Sequence, residues 1–175
     1  MTRDERPEGS IEPSTHPHRV NGMHTAYEIG GLPAHPLLVH AAVVLLPLAA
    51  LCTILHAVWP AARARLGIVP TLLAVVSTAL VPVTVAAGHA LANQLGGVGD
   101  NPLLLKHEHL AGQILPWSIA LTVVAFGNWV WRRCAGSLSA RWLTVVVPVV
   151  TVIVAVGLVV AVVRAGDAGA RATWQ

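Results

Sequence analysis

The stretch PAHPLLVHAAVVLLPLAALCTILHAVW, residues 33–59, decides the fold. From Pro36 to Trp59 it contains no Lys, Arg, Asp or Glu. A helix of about 20 apolar residues crosses the hydrocarbon core of a bilayer. Pro36 suits a first helical position, where its missing N–H costs nothing, and Pro60 stops the run. Three more blocks have the same character, 67–92, 109–131 and 142–163, and every Lys, Arg, Asp and Glu lies outside the four. The chain is 55% hydrophobic and 11% charged, against about 25% charged for an average soluble domain. So little charge does not cover a soluble surface. The expected fold is all-α: an integral membrane four-helix bundle, up-down-up-down, behind a disordered N-terminal tail.

Outward from that stretch, residues 1–34 form the polar tail, 35–164 the four-helix domain and 165–175 a second polar tail. The N-terminal tail is rich in Pro, Glu, Ser, Thr and His, with few large apolar groups to bury. Its His16, His18 and His24 read as solvated polar residues, since nothing fixes their geometry. It has no apolar signal-peptide core, so the first span is expected to direct insertion itself. Loops one and three carry Arg63, Arg65, Arg132, Arg133 and Arg141 with no acid, whereas loop two, Asn93 to Glu108, holds Lys106 with Asp100 and Glu108. The positive-inside rule puts the arginine loops in the cytoplasm of a cell with this protein in its inner membrane, and both termini outside. Trp59, Trp129, Trp131 and Trp142 fall at span ends beside those loops, as an interfacial aromatic belt. Pro47, Pro82, Pro116 and Pro148 each remove one backbone hydrogen bond from a span, and Thr78, Thr84 and Ser118 lie close enough in sequence to help repair them. Cys52 and Cys134 form no CxxC framework, and no Lys/Arg-rich run suggests nucleic acid.

Alternating helix directions gather His35 and His40, His89, and His107 and His109 at one membrane face, while His56 lies at the other. Two residues apart on a helix is about 200° of rotation, so only one of His107 and His109 faces a given neighbour. The expected inward set is His40, His89 and His107 or His109, and all five are candidate metal ligands. Imidazole binds zinc, copper, nickel and haem iron. Two opposed histidines suit a b-type haem; three on one face suit zinc or copper. No carboxylate lies inside a span, which excludes a carboxylate-rich di-iron site. No Ser–His–Asp set, phosphate loop, HExxH or dinucleotide glycine pattern is present, so no enzymatic motif is legible.

GLPAHPLLVHAAVVLLPLAAL, residues 31–51, with its His-Pro-x-x-x-His start, resembles the opening of an uncharacterised family of small bacterial membrane proteins, a domain of unknown function with four spans. HEHLAGQILPW, residues 107–117, extends the resemblance and favours His107 over His109 as the family position. Some relatives are joined to Rieske-type iron–sulfur modules, which implies electron transfer. The family pattern has Gly-Glu where this chain has Gly88-His89, which argues against a haem ligand at 89.

Three functions compete. The first is a haem- or transition-metal-binding electron-transfer component that uses His40, His89 and His107. The second is a non-catalytic structural or interaction subunit, whose partner is another membrane or redox protein. The third is a homo-oligomeric ion or proton transporter. Internal repeat symmetry would favour the last, and the sequence shows little of it beyond the histidines near the outer ends of three spans.

Overall fold

The charge-free run after Pro33 is a single helix, α1, Ala34–Val58. Trp59 breaks it in an extended conformation, and Pro60 at once starts a short helix, α2, Pro60–Leu66. Gly67, with φ +50, turns the chain into α3, Val69–Gln94. The Asn101 side chain accepts from the Leu103 N–H at 3.0 Å and caps α4, Pro102–Gly112. Helix α5, Ile114–Cys134, follows directly, and α6 is Leu143–Trp174. Ahead of α1, β1 (Glu28–Ile29) pairs antiparallel with β2 (Leu32–Pro33), in the register Glu28 to Pro33. The computed structural model describes residues 28–29, 32–94, 101–134 and 142–174. Of the expected disordered tail, 1–34, residues 1–27, with His16, His18 and His24, lie outside the described residues, as do Asp100 and Arg141, whereas its end is ordered as β1, β2 and the first residue of α1.

The architecture is the expected all-α one, with four helical stretches long and apolar enough to cross a membrane: Ala34–Val58, Val69–Asn93, Pro102–Arg133 and Leu143–Ala172. Three details differ from the sequence reading. Loop one is the helix α2. The third span begins at Pro102, beside the earlier of the two starts the sequence allows, Leu103 and His109, but is interrupted at Gln113, because Pro116 has no N–H to give the carbonyl of Gly112 and the helical ladder restarts there. The fourth helix runs on to Trp174 rather than ending near Val163. Its extension is rich in alanine, the best helix former, and Arg171 Nε–H donates to Asp167 Oδ2 at 3.0 Å one turn away.

The packing is that of a lipid-solvated bundle. Only 17–28% of the most apolar window of each span is buried. Val44 and Val145 are each 64% exposed. Apolar faces this extensive are costly in water and neutral in hydrocarbon. The interior is small and polar by comparison. Ala49, Ala50, Ala74 and Ala155 let the helices approach, Leu46, Leu121 and Leu158 fill the centre, and Thr53, Ser77, Ser118 and Thr151 are fully buried among them. Thr71 Oγ1–H donates to Ala125 O at 3.2 Å, and Thr78 Oγ1–H to Ser118 O at 3.0 Å, tying α3 to α5. Thr78 therefore reaches across to a neighbouring helix, while Thr84 bonds back to Leu80 O at 2.9 Å.

α1 and α5 each pack against both α3 and α6, and α4 packs on α6. The bundle is a pair of repeated hairpins, α1–α3 and α4/α5–α6. The step that carries His35 to His107 also carries Leu46 to Ser118, Ala49 to Leu121, Thr53 to Ala125 and His56 to Asn128, and all of these last eight residues are buried. The step that carries Gly88 to Gly169 carries Ala74 to Ala155, Ser77 to Leu158, Val81 to Val162 and Ala87 to Ala168, again all buried. Both hairpins run in the same sense, so the relation is a parallel repeat about an axis along the bundle.

Candidate functional site

The histidine face is built from the first turns of α1 and α4 and the last turns of α3 and α6. His35 leaves the start of α1 half-buried, and its Nδ1–H donates to Thr84 O of α3 at 3.1 Å. The ring lies over Gly88, where an added Cβ would sit 2.9 Å from its Cε1. His107 repeats this in the second hairpin. Its Nδ1–H donates to Ala165 O of α6 at 3.0 Å, and its ring lies over Gly169, where a Cβ would also sit 2.9 Å from Cε1. In each half the glycine follows the accepting residue by one helical turn. Only a residue without a Cβ leaves room there for an imidazole.

A backbone carbonyl only accepts, so each of these rings must carry its hydrogen on Nδ1. In the neutral form Nε2 then has the lone pair. This is the outer-shell arrangement that fixes the tautomer and orientation of metal-ligating histidines. His40 has the same polarity within its own helix: Nδ1–H donates to Pro36 O at 2.6 Å, and the side chain is exposed.

The other two differ. His89 Nε2–H faces Glu108 Oε1 at 3.2 Å, with the side chains 57% and 47% exposed. His109 Nε2 accepts from the Gln113 amide at 3.2 Å. Of the expected inward set, His107 is turned into the bundle, whereas His40 and His89 are exposed and have separate partners. His35, rather than His40, is the structural equal of His107. Among the described residues, no group of three or more His, Cys, Asp or Glu stands close enough to hold a metal ion. The five histidines share one end of the bundle without sharing one pocket.

The opposite end has its own polar set. Arg63, on α2, closes the C-terminus of α1: Nε–H donates to His56 O at 2.9 Å and Nη2–H to Ala57 O at 2.8 Å. His56 is buried beneath it, and its repeat partner Asn128 donates to Thr151 Oγ1 at 3.1 Å. The Arg132 guanidinium stacks on Trp131, 4.3 Å from the ring centroid. Sequence reading passed over Asn128, Thr71 and Thr151, and placed Thr78 as a repair within its own helix rather than a link to the next. The signal that could have found them is a polar residue inside a charge-free span, which in a membrane must have a partner.

Four lipid-facing helices around a small, hydrogen-bonded interior define a multi-pass integral membrane protein. The family model of DUF2231, described as a predicted membrane protein, matches residues 31–175, and the chain belongs to that family. No curated protein and no solved structure matches the chain.

Proposed function

We propose that this protein is a haem- or transition-metal-binding component of a membrane electron-transfer system, with His35 and His107 as the ligands. The observation that carries the reading is their common geometry. Each imidazole is pinned through Nδ1–H to a carbonyl of the following helix, which leaves Nε2 as a pre-oriented donor. Two neutral imidazoles are the donor type that a b-type haem takes, and imidazole also takes a borderline divalent ion such as copper or zinc. When bound, such a group would supply one-electron chemistry or a Lewis-acid centre. The chain's own residues hold the rings: Thr84 and Ala165 fix the tautomer, and Gly88 and Gly169 make room for it. His40 presents its Nε2 from the exposed side and is the third candidate ligand; His89 and His109 are secondary, because their Nε2 atoms are already engaged. The arginine-bearing end, with Arg63, Arg65, Arg132 and Arg133, is assigned to the cytoplasm, which puts the histidine end outside the inner membrane.

The test is an absorption spectrum and elemental analysis of the detergent-purified protein, alone and as His35→Ala and His107→Ala. A Soret band or stoichiometric metal that falls in both variants supports the reading. A colourless, metal-free wild type overturns it.

A second reading is a non-catalytic interaction subunit of a membrane complex. It is favoured by the bond each histidine of this face makes within the chain, which makes His35 and His107 bolts between helices. The duplicated hairpins supply the symmetry expected of a transporter, but Leu46, Leu121 and Leu158 fill the centre of the bundle. Transport would therefore use a path between copies of the chain.

A further inference from the structure

Where α4 packs on the extension of α6, the two helices border a partly open cleft of about 270 Å³. Its charged lining comprises Lys106, Arg164, Arg171 and Asp167, and its apolar walls include Leu103 and Leu110. Asp167 is taken by Arg171, with Arg171 Nε–H donating at 3.0 Å. The nearest acid in sequence to Lys106, Glu108, faces His89. Lys106 and Arg164 therefore have no acidic partner among the described residues. Two unneutralised cations lining one cleft repel each other, and an anion between them removes that cost.

The level of the cleft narrows the ligand. Arg164 is the first charge after the uncharged run 142–163, so it stands where α6 leaves the hydrocarbon. His107, next to Lys106 in sequence, bonds to Ala165, next to Arg164, which puts both cations at one depth. Leu103 and Leu110 are set about two helical turns apart on α4, and both line the cleft. The site joins a cationic pair at headgroup height to an apolar wall. Ordinary snorkelling explains a lysine or an arginine at a span end; it does not explain why both line one partly open cleft.

We propose that this cleft binds the phosphate-bearing headgroup of an anionic membrane lipid. Lys106 and Arg164 contact the phosphate oxygens, Arg171 stays on Asp167, and the acyl chains lie along Leu103 and Leu110. Arg and Lys are the residues suited to phosphate, as a planar fork and a point charge respectively. The site is separate from the Nε2 donors of His35 and His107 and stands whether or not those bind a cofactor.

The test uses the full chain in nanodiscs of phosphatidylcholine alone or mixed with phosphatidylglycerol, with bound lipid counted by native mass spectrometry. Phosphatidylglycerol should be retained and phosphatidylcholine should not. Each of Lys106→Gln and Arg164→Gln should weaken retention roughly tenfold, the effect of one charge-assisted hydrogen bond. Arg65→Gln, at the opposite end, should leave it unchanged. Inorganic phosphate is the second arm. If it displaces the lipid, recognition is of the phosphate group itself and the aqueous ion is a competing source; if it does not, the acyl contacts are required. Equal retention of the two lipids, or wild-type retention by both glutamine variants, overturns the proposal. Should a glutamine variant fail to fold, Lys106→Arg and Arg164→Lys keep the charge, and wild-type retention must fall as salt is raised. Retention that is indifferent to salt overturns it as well.

Discussion

Gly169 offers the sharpest test of how the histidine end is held. A Cβ at this position would lie 2.9 Å from His107 Cε1 and 3.0 Å from its Nδ1. Carbon atoms pack at about 3.5–4.0 Å, so the ring must retreat by roughly 0.5–1 Å. The Nδ1–H bond to Ala165 O, now 3.0 Å, would stretch to about 3.5–4 Å and cease to be one. The lost bond costs about 0.5–1.5 kcal/mol and the overpacking about 1–3 kcal/mol. Replacing glycine by alanine inside a helix returns about 1 kcal/mol. Gly169→Ala should therefore destabilise the bundle by about 0.5–3.5 kcal/mol. Gly166, one turn earlier on the same helix, has nothing within 4 Å of the same added atom. Gly166→Ala should show only the helical gain, stabilising by about 0.5–1 kcal/mol. The assay is reversible unfolding in mixed micelles of lipid-like detergent and dodecyl sulfate, followed by tryptophan fluorescence. Opposite signs for the two variants are expected. If both move stability in the same direction, His107 is not seated on Gly169 and the account of this end fails. The hairpin repeat adds a constraint: Gly88→Ala, beneath His35, should fall with Gly169→Ala and not with Gly166→Ala.

Arg63→Ala should destabilise by about 2–4 kcal/mol, since two charge-assisted bonds to the end of α1 are lost, whereas Arg65→Ala, exposed on the same short helix, should be near neutral; the same unfolding assay separates them. Asn128→Ala removes the bond to Thr151, and cross-helix polar pairs in membranes average about 0.6 kcal/mol with a maximum near 1.7, so a loss above about 3 kcal/mol would mean that Asn128 holds more than this one contact. Glu108→Gln should change stability by under about 1 kcal/mol, because its pairing with His89 is largely exposed; unfolding at low and high salt should give nearly the same difference from wild type.

The sequence by itself determined the class and the span order. An uncharged run such as 36–59 has no soluble alternative at that length, and charges confined between such runs fix the number of crossings, because lipid cannot solvate them. It also brought the five histidines to one end, since antiparallel neighbours equate the start of one helix with the end of the next. Helix ends were less legible. The Ala-rich segment after Arg164 is too polar to mark as a span and still continues α6, because helix propensity and the Asp167–Arg171 pair act without hydrophobicity. Only the tertiary structure decided how each histidine is used. Rotation about a helix axis is set by packing, and the pattern of apolar residues is nearly uniform around these helices, so hydrophobic periodicity gives no facing direction in lipid. Packing turned His35 and His107 onto Gly88 and Gly169, left His40 bonded to its own helix, and paired His89 with Glu108. The repeat of the two hairpins was hidden for the same reason. Identical pairs such as His35 with His107 and Gly88 with Gly169 are interspersed with pairs of different chemistry, Ala49 with Leu121 and Ser77 with Leu158, and their shared burial and contacts show that they correspond.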